Sequence, residues 1–180
     1  MNLEVIFFWL KILGIFLVVT GCIGMGFYKS REITERINAL KEMQRLLLMI
    51  KNEIDYMARP LAEALGKASL YCKSVYKEFF EALEDRLYEK KGASFLEIWN
   101  DCVFEFLSDT AMCTSDLELI CNIGENLEFT NKETQVSALE LCMENMGALI
   151  THLEASAESK QRVYKCLGGF LGLLIVILLI

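Results

Sequence analysis

The sequence predicts an all-α protein: a six-helix bundle between an N-terminal and a C-terminal transmembrane helix. Three observations lead there. The run Val5 to Tyr28 is apolar except for Lys11, and Cys166 to Ile180 carries no charge at all. The 137 residues between them are charged and repeat their apolar positions every three or four residues. Only one proline occurs, Pro60, and no β-branched alternating stretch appears. The organisation expected is therefore a first span over 1–28, a helical body over 29–165 and a second span over 166–180.

A spanning helix needs about 20 apolar residues. The first run is long enough, and Lys11 lies close enough to its outer end for the ammonium to reach the headgroups. The second run has 15 residues, roughly 22 Å at 1.5 Å per residue, so local bilayer thinning is expected around it. The acidic Glu4 ahead of the first run argues against a cleaved signal peptide. Lys29, Arg31, Arg36, Lys41 and Arg45 follow the first span, and Lys160, Arg162 and Lys165 precede the second. The positive-inside rule then sets the body in the cytoplasm with both termini outside. Gly168 and Gly172 form a GxxxG, the spacing of a transmembrane packing face.

In the body, the first helix runs to about Met57. Its seam is Ile33, Ile37, Leu40, Met43, Leu47, Ile50, Ile54 and Met57, with Leu46, Leu48 and Met49 widening it toward more than one neighbour. Arg59-Pro60-Leu61 breaks the chain and starts a short second helix to about Ser69, with proline suited to a first turn. The third helix, Val75 to Lys90, lines up Val75, Phe79, Phe80, Leu83 and Leu87, and Gly92 ends it. Ser94 with Glu97 is a capping box for the fourth helix, which shows Phe95, Ile98, Trp99, Cys102, Val103 and Phe106. Ser115 with Glu118 repeats that pattern for the fifth, which carries Leu117, Ile120, Cys121 and Leu127. The sixth begins near Asn131 and runs unbroken into the second apolar run, about 50 residues in all. Its seam is Val136, Leu139, Met143, Met146, Ile150, Leu153 and Ala157. The first and sixth helices are expected to pair antiparallel, with Gly147 at a close contact.

Composition excludes several classes. The net charge is −7, and setting aside Glu4 and Lys11 leaves 17 basic and 24 acidic residues, again −7. That is a poor footprint for nucleic acid; the basic residues gather beside the spans, where the bilayer's anionic headgroups are the natural partner. The seven cysteines are odd in number and show no CxxC spacing, which reads as free thiols packed as small hydrophobes. The one histidine, His152, falls beside the last seam, and no phosphate loop or dinucleotide fingerprint occurs. Glu84-Asp85 and Asp116/Glu118 lack histidine partners for a metal and read as capped or solvated. Catalytic, cofactor and metal sites are each expected to be absent. Glu53, Tyr56, Arg59, Pro60, Leu61 and Glu63 are the candidate partner-docking residues. They surround a turn some 28 residues, roughly 42 Å of helix, beyond the first span.

Glu53-Ile54-Asp55-Tyr56-Met57-Ala58-Arg59-Pro60-Leu61-Ala62-Glu63-Ala64-Leu65 resembles the E-I-x-Y-x-x-x-P-L-x-E-A-L stretch of the stage III sporulation protein AB family. Gly26-Phe27 with Ser30-Arg31, Gly124-Glu125-Asn126-Leu127, and Leu167-Gly168-Gly169-Phe170-Leu171-Gly172 agree with that family in order. Glu128 departs from its usual glycine and Asn131 from its usual aspartate cap. The resemblance implies a fold similar to the cytoplasmic domains of the type II secretion inner-membrane platform protein. It also implies a non-enzymatic membrane platform subunit of a complex joining mother cell and forespore. The partners implied are a cytoplasmic ATPase, the AA component of the same set, and other membrane components; a homo-oligomer is compatible with it. A membrane-tethered helical signalling or sensor adaptor is the alternative from another class.

Overall fold

The computed structural model describes the backbone of residues 3–72, 75–89, 92–128 and 131–179, and side chains chiefly within 31–157. Among the described residues it is all helix: α1 Leu3–Asp55, α2 Leu61–Ser69, α3 Val75–Glu89, α4 Phe95–Leu107, α5 Thr114–Leu127 and α6 Lys132–Leu179. The chain divides into two compact units, one of residues 1–34 with 153–180, the other Glu35–His152. In the described part of the first unit the backbone is helical. Both apolar runs, with Gly168 and Gly172, lie almost wholly outside the residues whose side chains are described. Among the described residues no helix is long and apolar enough to cross a membrane.

The second unit is built on α1. Leu40, Met43, Leu46, Leu47 and Ile50 have no exposed surface. Leu46 and Leu47 are successive residues pointing about 100° apart on a helix, so α1 is covered on more than one side, as the widened stripe implies. On one side lies α6. Gln44 Nε2 donates to the Met143 carbonyl at 2.8 Å, Lys51 meets Glu140, and Lys132 meets Asp55. The pairings run in opposite order along the two helices, which makes them antiparallel. A Cβ on Gly147 would stand 3.1 Å from Gln44 Nε2, so this glycine does mark the close contact. Among its described residues, the buried positions of α6 are Leu139, Cys142, Met146 and Ile150. Cys142 takes the place expected of Met143, which is half-buried.

Elsewhere α1 makes hydrogen bonds to the chain around α3. Tyr76 Oη of α3 donates to the Ala39 carbonyl at 3.1 Å, and burial pushes its hydroxyl up to about 12. Arg45 Nη2 donates to the Tyr71 carbonyl at 3.1 Å. The opposite part of the core is aromatic. Trp99 is fully buried and meets Phe79 edge-on at 5.7 Å and Phe95 in a stack at 5.8 Å. Its Nε1–H donates to the Ile120 carbonyl at 2.9 Å, which satisfies the indole where water cannot reach. The indole can come that close only because α5 has no side chain at Gly124, where a Cβ would collide with the ring.

Helix ends follow local chemistry, with three corrections. Ser94 Oγ accepts from the Glu97 N–H and Glu97 returns the bond, the expected capping box. Gly92 adopts φ +87, which an L side chain would resist. The cap of α5, however, is Cys113 and not Ser115: Asp116 Oδ2 accepts the Cys113 N–H at 3.0 Å, so the helix starts earlier than expected. Pro60 is the N-cap of α2 rather than its first helical residue, with φ −57 and ψ 148. Its carbonyl accepts from the Ala64 N–H at 3.0 Å. Met57 belongs to no seam; α1 stops at Asp55 and Met57 is 64% exposed. The two departures from the family pattern are harmless locally. Glu128 caps α5 in a right-handed conformation that needs no glycine, and Asn131 Oδ1 accepts the Glu133 N–H at 3.0 Å as a proper N-cap.

Replacing Gly124 by alanine forces a methyl into the Trp99 ring. The expected loss is about 1–3 kcal/mol, the usual cost of overpacking, read from denaturant unfolding followed by Trp fluorescence. A Gly124→Ala protein as stable as the parent would show that the indole can shift at no cost.

Candidate functional site: the turn between α1 and α2

The turn begins where α1 runs out of core. After Ile54, which is buried, Tyr56 and Met57 stand 77% and 64% exposed. The chain reverses at Ala58, whose φ of 51 is left-handed, a conformation that costs a non-glycine residue roughly 1–2 kcal/mol. Two hydrogen bonds and an ion pair hold it there. Tyr56 N–H donates to Asn52 O at 3.0 Å, Arg59 N–H donates to Glu53 O at 3.2 Å, and the Arg59 guanidinium lies 3.0 Å from a Glu53 carboxylate oxygen. Pro60 then fixes the entry to α2.

Beside the turn is a groove of about 460 Å³. Its apolar wall includes Pro60 and Leu61 of the turn with Phe95 of α4, and Arg59, Lys132 and Gln135 bring nitrogen groups to its rim. Lys132 Nζ is tied to Asp55, through both the carbonyl and the carboxylate. Of the six residues expected to form one docking patch, the structure joins Glu53 to Arg59 and places Arg59, Pro60 and Leu61 on this groove. Tyr56 is exposed at the tip. Glu63 is separated from them: it lines a different groove, between α2 and α3. Phe95, Lys132 and Gln135 are not legible in the sequence as neighbours of this turn, because each arrives from a distant part of the chain.

The buried ionisable groups elsewhere are structural. Asp116, expected on a capped or solvated face, is on the capped one, and it is fully buried. Arg36 grips it with a fork, Nε to Oδ2 at 2.7 Å and Nη2 to Oδ1 at 2.8 Å. Burial pushes the Asp116 carboxyl up, but the Arg36 and Cys113 hydrogen bonds together outweigh it and hold the group below its usual range. Burial also raises the Cys72 and Cys102 thiols to about 11 and Cys142 to about 12, so these free cysteines stay protonated. His152 is exposed. No group of three His, Cys, Asp or Glu side chains could hold a metal among the described residues.

These features define an all-α bundle protein whose exposed turn, rather than a titratable pocket, is its candidate site. The family model for stage III sporulation protein AB matches residues 11–180, and the chain belongs to that family. It is similar to the stage III sporulation protein AB of Bacillus subtilis (strain 168), 24% identical over 170 residues that cover 94% of this chain and 99% of that protein. It is also similar to a solved structure of stage III sporulation protein AB, with a TM-score of 0.56 and 21% identity over 73% of this chain and 97% of that one. At that identity the likeness concerns the fold, and it agrees with the helical architecture described above.

The Arg36–Asp116 pair yields two expected outcomes. Arg36→Met leaves a buried carboxylate without its cation, a change that costs about 3–5 kcal/mol for fully buried pairs and less here because Arg36 is 25% exposed. Arg36→Met with Asp116→Leu should recover part of that loss in a chemical melt. The second concerns pH. A depressed carboxyl contributes stability fully above its unfolded value, about 3.9, and loses it as pH falls through the folded value. The Tm gap between the parent and Asp116→Asn should therefore be constant from neutral pH to about 5 and shrink below about 4. A gap unchanged in acid would mean that ionisation of Asp116 is not the source.

Proposed function

We propose that this sporulation-family chain is a non-enzymatic platform subunit of a secretion-like channel complex linking mother cell and forespore. Residues 1–28 and 166–180 anchor it in the membrane, and the body over 29–165 lies in the mother-cell cytoplasm with both termini outside. The α1–α2 turn docks a cytoplasmic ATPase, the AA component of the same set, and other membrane components complete the complex. The observation that carries the docking reading is the exposure of Tyr56 and Met57 beside the Arg59 groove. A strained, tightly tied turn that presents a tyrosine, a methionine and an arginine has the composition of an interaction hot spot. The charge flanking both apolar runs supports the topology.

Capture of the ATPase from sporulating cells tests the docking. Because Arg59 and Glu53 form an ion pair, reversing Arg59 would set like charges together. Tyr56→Ser with Met57→Ser avoids that and removes only exposed surface. Stability should change by no more than about 0.5 kcal/mol, while ATPase recovery should fall about tenfold. Full recovery by the folded double variant would move the docking face elsewhere, and recovery of a kinase or receptor in place of the ATPase would favour a signalling adaptor. Topology needs reporter thiols at exposed positions, since Cys72 is buried with its thiol donating to Ala68 O at 2.9 Å. An impermeant reagent on intact cells should label Asn2→Cys and spare Ser137→Cys. The reverse pattern overturns the cytoplasmic placement.

A further inference from the structure

The groove between α2 and α3 is a different surface from the turn. It measures about 610 Å³ and is lined by four carboxylates, Glu63, Glu81, Glu84 and Asp85, against one ammonium, Lys67. Glu81 has Lys77 at 3.6 Å; Glu63, Glu84 and Asp85 have no ion-pair partner among the described residues. The groove also holds two apolar side chains that the fold leaves outside, Leu70 at 67% and Tyr88 at 63% exposure. Its shape comes from Gly66. The helices approach so closely that the Glu84 carboxyl lies over the Gly66 backbone, where any Cβ would displace it. The half-buried Glu84 carboxylate is thus set in the groove without an ion-pair partner among the described residues, although the Lys67 ammonium lines the same groove.

A metal does not explain the arrangement, because no three of these groups converge enough to hold one. An ordinary solvated acidic face accounts for the charges but not for the two exposed apolar side chains, Leu70 and Tyr88, that line the same groove. Together the two features have a complement: a segment that carries both cations and an apolar side chain.

We propose that the α2–α3 groove docks a basic amphipathic segment of a partner protein. Its lysine or arginine heads meet Glu63, Glu84 and Asp85, and its apolar side chain rests on Leu70 and Tyr88. The Tyr88 ring offers a cation a second favourable surface. Unpaired carboxylates in a concave site attract such a segment at long range, and the apolar pair retains it when salt screens the charges. This inference is independent of the platform reading and of the turn at Tyr56.

The test uses the full chain in neutral detergent micelles and a lysine/leucine amphipathic peptide bearing a photo-crosslinker, with empty micelles as the blank. The expected result is adducts on α2 and α3. Binding should be about tenfold weaker in Glu63→Gln/Glu84→Gln/Asp85→Asn. It should also be weaker, at high salt as well as low, in Leu70→Ser/Tyr88→Ser. The matching glutamate/leucine peptide should give no adduct. All these positions but Glu84 are exposed, so a thermal melt should show both variants folded; a variant that fails the melt is replaced by its single substitutions. Adducts elsewhere, or undiminished binding by the carboxamide variant, would reduce the effect to the chain's overall acidity and overturn the proposal. Undiminished binding by the Leu70/Tyr88 variant would reduce it to ion exchange and overturn the proposal equally. Chain-to-chain adducts through the groove without peptide adducts would assign the surface to self-association instead.

Discussion

Everything in the folded body depends on α1 being buried on more than one side. A helix at the edge of a bundle needs one apolar stripe; a helix enclosed by its neighbours needs two, and its polar residues must then find partners in the gaps. α1 meets that demand with successive buried leucines, Leu46 and Leu47, and with polar groups placed where a neighbour can answer them. Gln44 reaches a carbonyl of α6, Arg36 reaches the first turn of α5, and the Ala39 carbonyl receives a tyrosine of α3. These three helices are each positioned by a specific bond to α1.

The Arg36–Asp116 fork shows how local and long-range demands coincide. Asp116 is first a cap, accepting the N–H of Cys113 at the start of α5. A carboxylate in that position near a helix N-terminus is stabilised by unpaired amides. Complete burial would still leave it costly, and Arg36, 80 residues away, offsets the cost with two short bonds. One side chain therefore starts a helix and fixes that helix against α1. Gly124 likewise serves two ends at once. The absence of a side chain there on α5 both admits the Trp99 ring and leaves the Ile120 carbonyl reachable by its N–H.

What can be read from the sequence is what local physics decides. The limits of α2, the start of α3, the Ser94–Glu97 box and the unbroken α6 all follow from spacing, capping and proline, and all appear in the structure. The departures share one cause, a tertiary partner that spacing cannot announce. Ser115 looks like a better cap than Cys113 because serine usually is; the buried acid at Asp116 reverses the choice. Met57 continues the heptad of α1 perfectly, but the helix has already ended at Asp55. The candidate patch divides for a similar reason. Arg59 and Glu63 are four residues apart and would share a face on one continuous helix, yet the left-handed Ala58 and the cap at Pro60 direct them to different grooves.

That division makes α2 more than a connector. Nine residues are too few for a stable isolated helix, so α2 exists because its neighbours hold it. Its buried side is nearly all small: Ala64, Gly66, Ala68 and Ser69 accompany the single large residue Leu65. Small residues bring the helix close to α3 and bury little apolar area of their own. The consequence is a short, rigid piece of backbone with its long side chains left for the surface, Glu63 and Lys67 among them, and Leu70 at its C-cap. The long helices commit the seam residues Leu40, Leu47, Leu139 and Met146 to the core and some of their polar groups to each other. A closely held short helix has less core to serve, and its surface can therefore vary without loosening the fold beneath it.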